Sequence, residues 1–180
     1  MGGMPQEFML DGATPTPELV AAWLALDDLR AESVPMWAAN WLVQGYDGAA
    51  LAELAGLSGR DTREVRDLLP AALAEAGVRP PSSKYAAVKV AFDHIANLHL
   101  SGRVRWAWVV NQVVDVVYLS GHASEPFEQP LGQLYGIDDE AGEPWSRPDD
   151  ELAQVVRQAC LDQTAVASAI FGNKEPPSDE

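Results

Sequence analysis

The chain is poor in cysteine and histidine and has no long apolar run. Cys160 is the one cysteine, which excludes an intramolecular disulfide and any cysteine-cluster zinc site. It falls in an apolar helical pattern, with Arg157 and Asp162 offsetting each other nearby. The expectation is therefore a buried core thiol, since a nucleophile needs an electropositive setting that depresses its pKa. The three histidines are His94, His99 and His122. His94 and His99 are five residues apart, about 140° around a helix, and cannot share one face. No His-Glu-x-x-His, Glu-x-x-His or His-x-His spacing occurs, so no metal site is expected.

Other signatures are missing too. No stretch approaches the roughly 18 uncharged apolar residues of a membrane span. The opening MGGMPQEFMLDG has no basic residue, whereas a secretory signal needs a positive start. Gln6 stands where a myristoylation signal wants Ser or Thr. These features lead to the expectation of a cytoplasmic chain with no membrane association. There is no P-loop lysine and no Gly-x-Gly-x-x-Gly, so no cofactor is expected. Gly56-Leu57-Ser58-Gly59 is one residue short of a nucleophile elbow, and Ser58 reads as a turn residue.

What the chain has in excess is negative charge. Its net charge is −15, and the excess is unevenly placed. Residues 1–80 carry 12 acids and 5 bases, residues 81–124 carry 2 acids and 4 bases, and residues 125–180 carry 13 acids and 3 bases. A field of that sign repels nucleic acid and anionic membrane and favours a basic partner. Solubility alone is the simpler explanation. Arginine outnumbers lysine nine to three, and alanine is abundant, a usage that fits a GC-rich bacterial genome.

At 180 residues the chain is long enough for one core without disulfide or metal support. Its periodicity predicts helices almost throughout. Thr16-Pro17-Glu18 supplies a capping hydroxyl, a first-turn proline and an acid; the helix it opens is expected to reach about Glu32. A second helix restarts at Ser33-Val34-Pro35 and stops at Gly45. Asp47 is a plausible cap for a third that ends at Gly56. Asp61 and Glu64 have the spacing of a capping box, opening a fourth helix that runs to Gly77, with Pro70 expected to kink or break it. After Arg79-Pro80-Pro81-Ser82-Ser83, a linker, Tyr85, Val88, Phe92, Ile95 and His99 form a stripe that stops at Gly102. Val104 to Leu119 is rich in β-branched residues, but its length and the Gly121 stop favour a helix, expected to be the most buried. A short helix is expected over Leu131 to Tyr135, and a last one from Asp149. The expected fold is all-α: an arm over residues 1–15, a single domain over 16–171 forming a compact irregular bundle of six to eight short helices with a linker near 79–83, and a disordered tail over 172–180. Ala39 to Gly45 echoes Ala96 to Gly102, through either duplication or shared capping rules.

Two acid clusters stand out: Asp138, Asp139, Glu140 and Glu143, then Asp149, Asp150 and Glu151. The first lacks the alternating spacing of a calcium loop, and the second stands where a helix N-terminus favours acids. Both are candidate partner-binding residues for a basic protein. Leu51 to Ser58 followed by Thr62 to Arg66 resembles a helix-turn-helix, in which Ala52 and Gly56 fit but Val65 comes about three residues late. Arg60, Arg63 and Arg66 are interleaved with Asp61, Glu64 and Asp67, leaving that surface near neutral. Six tryptophans are present; Trp37 and Trp41 share a face near Trp23, while Trp106 and Trp108 cannot share one.

Gln44 to Leu57 and Asp61 to Gly77 resemble a class of small, acidic, helical bacterial proteins without an assigned activity, some of which are immunity partners of basic toxins. The resemblance brings no catalytic residue. The reading favoured by the sequence is a non-enzymatic, acidic protein-interaction module, immunity- or antitoxin-like in its most concrete form, that binds a basic protein. One alternative is a DNA-binding regulator using residues 47–77. The other is an enzyme whose site converges from distant helices, with His94, His99, His122, Asp93 and Asp115 as its acid–base set.

Overall fold

The computed structural model describes residues 13–140 and 146–171. Over these residues the protein is all-α. Its helices are α1 (Pro17–Ala25), α2 (Val34–Val43), α3 (Ala49–Gly56), α4 (Thr62–Glu75), α5 (Lys84–Leu100), α6 (Trp106–Leu119), α7 (Ile137–Glu140) and α8 (Asp149–Phe171). Tight 3-10 turns occupy Ala31–Ser33, Glu125–Glu128 and Leu131–Leu134, and no strand occurs among the described residues. None of the described helices is long and apolar enough to cross a membrane. The acidic residue Glu143 lies outside the described residues, as do residues 1–12 of the expected arm and the expected tail at 172–180. The chain divides into two compact units, Met1–Val90 and Ala91–Glu180.

In the first unit α2 packs on α3, α3 on α4 and α1 on α4, with the Ala31–Ser33 turn touching α2 and α4. Thr16 caps α1 as its sequence demands, its Oγ1 accepting from the Leu19 amide at 3.3 Å. The helix ends at Ala25, short of the expected Glu32, because Asp27 takes a left-handed conformation with φ of 59°. Trp23, Trp37 and Trp41 are buried, and Trp23 and Trp37 meet with ring centroids 5.8 Å apart. The Trp41 indole donates to the Pro15 carbonyl at 2.8 Å, and Asn40 Nδ2 donates to Thr14 Oγ1 at 2.8 Å. Residues 14 and 15 are thereby fastened to α2 by hydrogen bonds worth about 1 kcal/mol each. Asp61 Oδ1 accepts from the Glu64 amide, so the expected cap of α4 forms. Asp47, in contrast, does not cap α3. Its carboxylate accepts from the neighbouring Gly48 amide, and Gly48 is the cap residue. Helix α4 passes through Pro70 as one element. Pro70 is exposed, so the carbonyl it leaves unpaired one turn earlier is on the solvent side, where water can serve it.

In the second unit α6 packs on α7, on α8 and on the Leu131–Leu134 turn, and α8 also packs on that turn. Helix α6 confirms the helical reading of its β-branched run. It buries one stripe, Val109, Val110, Gln112, Val113, Val116 and Val117, and leaves Ala107, Asn111 and Tyr118 exposed. It is therefore amphipathic rather than the most buried helix; α1 buries six of its nine residues. Buried Gln163 of α8 ties the irregular segment down. Its Oε1 accepts from the Leu131 amide at 3.4 Å, while Nε2 donates to Asp93 Oδ1 at 2.8 Å and to Gln129 Oε1 at 3.2 Å.

Five helices end in the same way. The amides of Asp28, Tyr46, Val78, Arg103 and His122 each donate to the carbonyl five residues back at 2.9 to 3.1 Å, the closure that a left-handed residue just past the helix permits. Gly45 and Gly102 are two of those left-handed residues. The echo between Ala39–Gly45 and Ala96–Gly102 coincides with a shared way of stopping a helix, which also appears at three helix ends outside the echo.

Candidate functional site

The C-terminal stop of α6 creates the most distinctive surface of the second unit. Gly121 and then His122 both adopt positive φ, 75° and 55°. The His122 amide returns to the Val117 carbonyl at 3.1 Å, and Ser120 Oγ donates to the same carbonyl at 2.6 Å. This turn sets the His122 ring against Tyr118, with centroids 5.6 Å apart and planes at 80°. A non-glycine residue held in the left-handed region costs of order 1 kcal/mol.

The row continues through a different part of the chain. The His122 ring meets Tyr135 at 6.4 Å and 89°, and Tyr135 meets Phe127 at 5.4 Å and 86°. Two contacts bring these last residues together. Gly132 lies so close to the Pro126 backbone carbonyl that a Cβ would overlap it, and the Gln133 side-chain amide donates to the Phe127 carbonyl. Edge-to-face geometry of this kind adds about 0.5–1.5 kcal/mol per pair beyond area burial. Yet the row is open to solvent: Tyr118 is 68 % exposed and Tyr135 41 %, His122 is exposed and Phe127 half-buried. Among the described residues the four rings have no ring partner outside the row.

Carboxylates accompany the row along the chain. Asp115 lies one helical turn before Tyr118, half-buried and without a hydrogen-bond or ion-pair partner among the described residues. Burial pushes its carboxyl pKa up. Glu125 and Glu128 share the short turn that holds Phe127, and Asp139 follows Tyr135 within α7. Of the acids expected to bind a partner, Asp139, Asp149, Asp150 and Glu151 are exposed, and none has a side-chain partner among the described residues. Asp149, Asp150 and Glu151 form the first turn of α8, where the helix dipole offsets part of their mutual repulsion. Asp138 and Glu140 belong to α7, but their side chains fall outside the described set.

Of the expected acid–base set, Asp93, His94 and His99 belong to α5, and Asp115 belongs to α6, at whose C-terminal stop His122 stands. Asp93 accepts from Gln163. His99 Nδ1 donates to the Val104 carbonyl at 3.0 Å, which a carbonyl acceptor requires. Burial, and then Arg103, lower the pKa of His94. His122 belongs to the aromatic row and Asp115 stands before it. No group of three His, Cys, Asp or Glu among the described residues is placed to hold a metal ion. A depression of about 480 Å³ lies between α8 and the Leu131–Leu134 turn, lined by Pro130, Gln133, Leu134, Val155, Gln158, Ala159 and Asp162. Asp162 accepts from Gln158 at 2.9 Å there, and the lining contains no imidazole, thiol or hydroxyl.

Of the three arginines of the helix-turn-helix resemblance, Arg66 is engaged with its own fold, whereas Arg60 and Arg63 are exposed. Arg66 donates to the Leu29 carbonyl at 3.2 Å and approaches Asp27 at 3.6 Å. Arg63 is exposed and 3.9 Å from Asp67.

Sequence reasoning counts His122 among the acid–base candidates and assigns Tyr118 to a buried helix; it does not join them to Phe127 and Tyr135. The one local signal is an aromatic on each side of the Gly121 stop. Phe127 and Tyr135 come from an irregular stretch with no periodicity to read. Comparison with protein-family models, with curated proteins and with solved structures gives no match to this chain.

Proposed function

We propose that the protein is a non-enzymatic interaction module that receives a basic protein segment, with immunity- or antitoxin-like neutralisation as its most concrete form and the cytoplasm as its setting. The observation that carries this reading is the exposed, unpaired state of Asp139, Asp149, Asp150 and Glu151 within the stretch that holds 13 acids and 3 bases. Unpaired carboxylates crowded on one stretch repel one another, and a cationic partner relieves that repulsion. The engagement of Arg66 with Leu29 and Asp27 supports the same reading over a DNA-binding one, because it removes a cation from the presumed phosphate-facing helix.

The test is calorimetric titration with a lysine-rich peptide of random-coil composition at about 20 mM and about 300 mM salt, where screening lengths differ several-fold. Binding at low salt, weakened at high salt and further weakened by joint Asp149→Asn, Asp150→Asn and Glu151→Gln substitution, is the expected result. Binding that ignores both salt and these substitutions would sink the proposal. Duplex DNA of random sequence should show no retardation at about 150 mM salt, because a chain of net charge −15 repels the phosphate backbone.

A further inference from the structure

We infer that the row formed by Tyr118, His122, Tyr135 and Phe127 is the anchor for an arginine side chain of the basic partner, whose guanidinium enters a corner between perpendicular rings with Asp115 as its carboxylate neighbour. The inference rests on the reading of the chain as a receiver of basic protein, and adds the place and the residue that is read.

The geometry makes the corner. Planes at 80° between Tyr118 and His122 and at 89° between His122 and Tyr135 leave ring faces meeting at right angles. Ring faces carry the negative lobe of the aromatic quadrupole, and a cation within about 6 Å of a centroid is attracted to it. Two faces at a right angle serve one cation together. The row is held ready by backbone: the left-handed His122, the Gly132 approach to Pro126 and the Gln133 bond to Phe127 all precede any ligand. Preorganised rings lose little side-chain entropy on binding.

The charge setting selects the sign of the guest. Residues 91–180 carry 15 acids and 5 bases, so a polyanion such as nucleic acid is repelled and a cationic protein segment is drawn in. Openness selects arginine over lysine. With Tyr118 68 % exposed, a strongly hydrated ammonium gains little by leaving water, whereas a weakly hydrated planar guanidinium stacks on a ring and still presents a fork to a carboxylate. Asp115, one turn from Tyr118 and unpaired, is the carboxylate in position to accept it.

Two peptides that differ only in carrying arginine or lysine in a Gly–Ser background form the probe. At about 150 mM salt the arginine peptide should bind about five-fold more tightly, the size of an exposed cation–π contribution. Tyr118→Ala with Tyr135→Ala should abolish that preference, Tyr118→Phe should keep it, and Asp115→Asn should reduce it. The ring proton resonances of Tyr118 and Tyr135 in the unaltered protein should shift on titration, a readout that depends on no variant. Equal, salt-sensitive binding of both peptides with unmoved ring resonances overturns the anchor and leaves the acidic-surface reading standing. Absence of binding by either peptide at about 20 mM salt overturns both.

Discussion

Glu75, the last residue of α4, accepts a hydrogen bond from the Leu51 amide at the start of α3, at 2.9 Å. Helix α3 has no side-chain cap of its own; its cap residue is Gly48. A carboxylate from the end of a neighbouring helix therefore does the work that Ser or Asp does elsewhere, and it closes α3 onto α4. Charged acceptors at helix N-termini are stronger than neutral ones. Replacing Glu75 by Ala should lower unfolding free energy by about 1–2 kcal/mol, read from urea denaturation, and Glu75→Gln should lose less. Equal stability of all three proteins would show that water caps α3 just as well.

A tighter contact holds the aromatic row. The Cβ of an alanine at position 132 would overlap the Pro126 carbonyl, a backbone atom that cannot swing aside. Gly132→Ala should cost about 1–3 kcal/mol and also weaken the arginine-peptide binding that depends on Phe127 and Tyr135. Gly56 is the matched control: it closes α3, and a methyl group there would meet nothing within 4 Å. Gly56→Ala should be neutral or stabilise by up to about 1 kcal/mol. The two thermal melts should move apart, and a coincident pair would refute the close approach.

Most of the helical framework is legible in the sequence because caps and stops are local. Thr16, Asp61, Gly45 and Gly102 each act within four or five residues of themselves, so composition at that spacing reveals them. The α3 N-terminus misleads for the opposite reason: Asp47 has the right chemistry at the right place, but Glu75, 24 residues away, takes the orphan amide. The end of α1 is hidden because Asp27 occupies the left-handed position that glycine holds at four other helix ends. The acid clusters are visible as composition, and their exposure at Asp149, Asp150 and Glu151 follows from helix position. The aromatic row is not visible, since it joins α6 to two short turns through contacts that leave no periodic trace.

Cys160 supplies a chemical probe of the second unit. It is fully buried on α8, and burial pushes its thiol pKa up to about 12, with Arg157 opposing weakly. The thiolate is the reactive species, and at pH 8 it is about one part in ten thousand at that pKa. Labelling by a thiol reagent should therefore be very slow in native protein and become fast in denaturant. Rapid, stoichiometric labelling under native conditions would contradict the packing of α8 at this point.

The last prediction separates two half-buried groups by the sign of their pH dependence. Burial, and then Arg103, hold the His94 pKa below its ordinary 6.5. The native state then binds fewer protons than the unfolded one just below that pH. By linkage, the stability that His94 contributes is fully present above pH 6.5 and is lost as pH falls through 6.5 toward the lowered native value. Asp115 behaves in the other sense. Its native pKa lies above the ordinary 3.8, so the native state holds its proton more tightly, and the stability from that group is present below pH 3.8 and lost as pH rises through the raised native value. Unfolding free energies measured at intervals between about pH 3.5 and pH 8 in urea, for the unaltered protein and for His94→Gln and Asp115→Asn, isolate each contribution by subtraction. The unaltered-minus-His94→Gln difference should fall as pH drops below 6.5. The unaltered-minus-Asp115→Asn difference should fall as pH rises above 3.8 and stay low at neutrality, so that Asp115→Asn is at least as stable as the unaltered chain at pH 7. A carboxylate that weakens the fold at neutral pH and yet stands one turn from Tyr118 is consistent with a role outside folding. A flat difference for Asp115 would return it to an ordinary surface acid and take the carboxylate out of the proposed arginine corner.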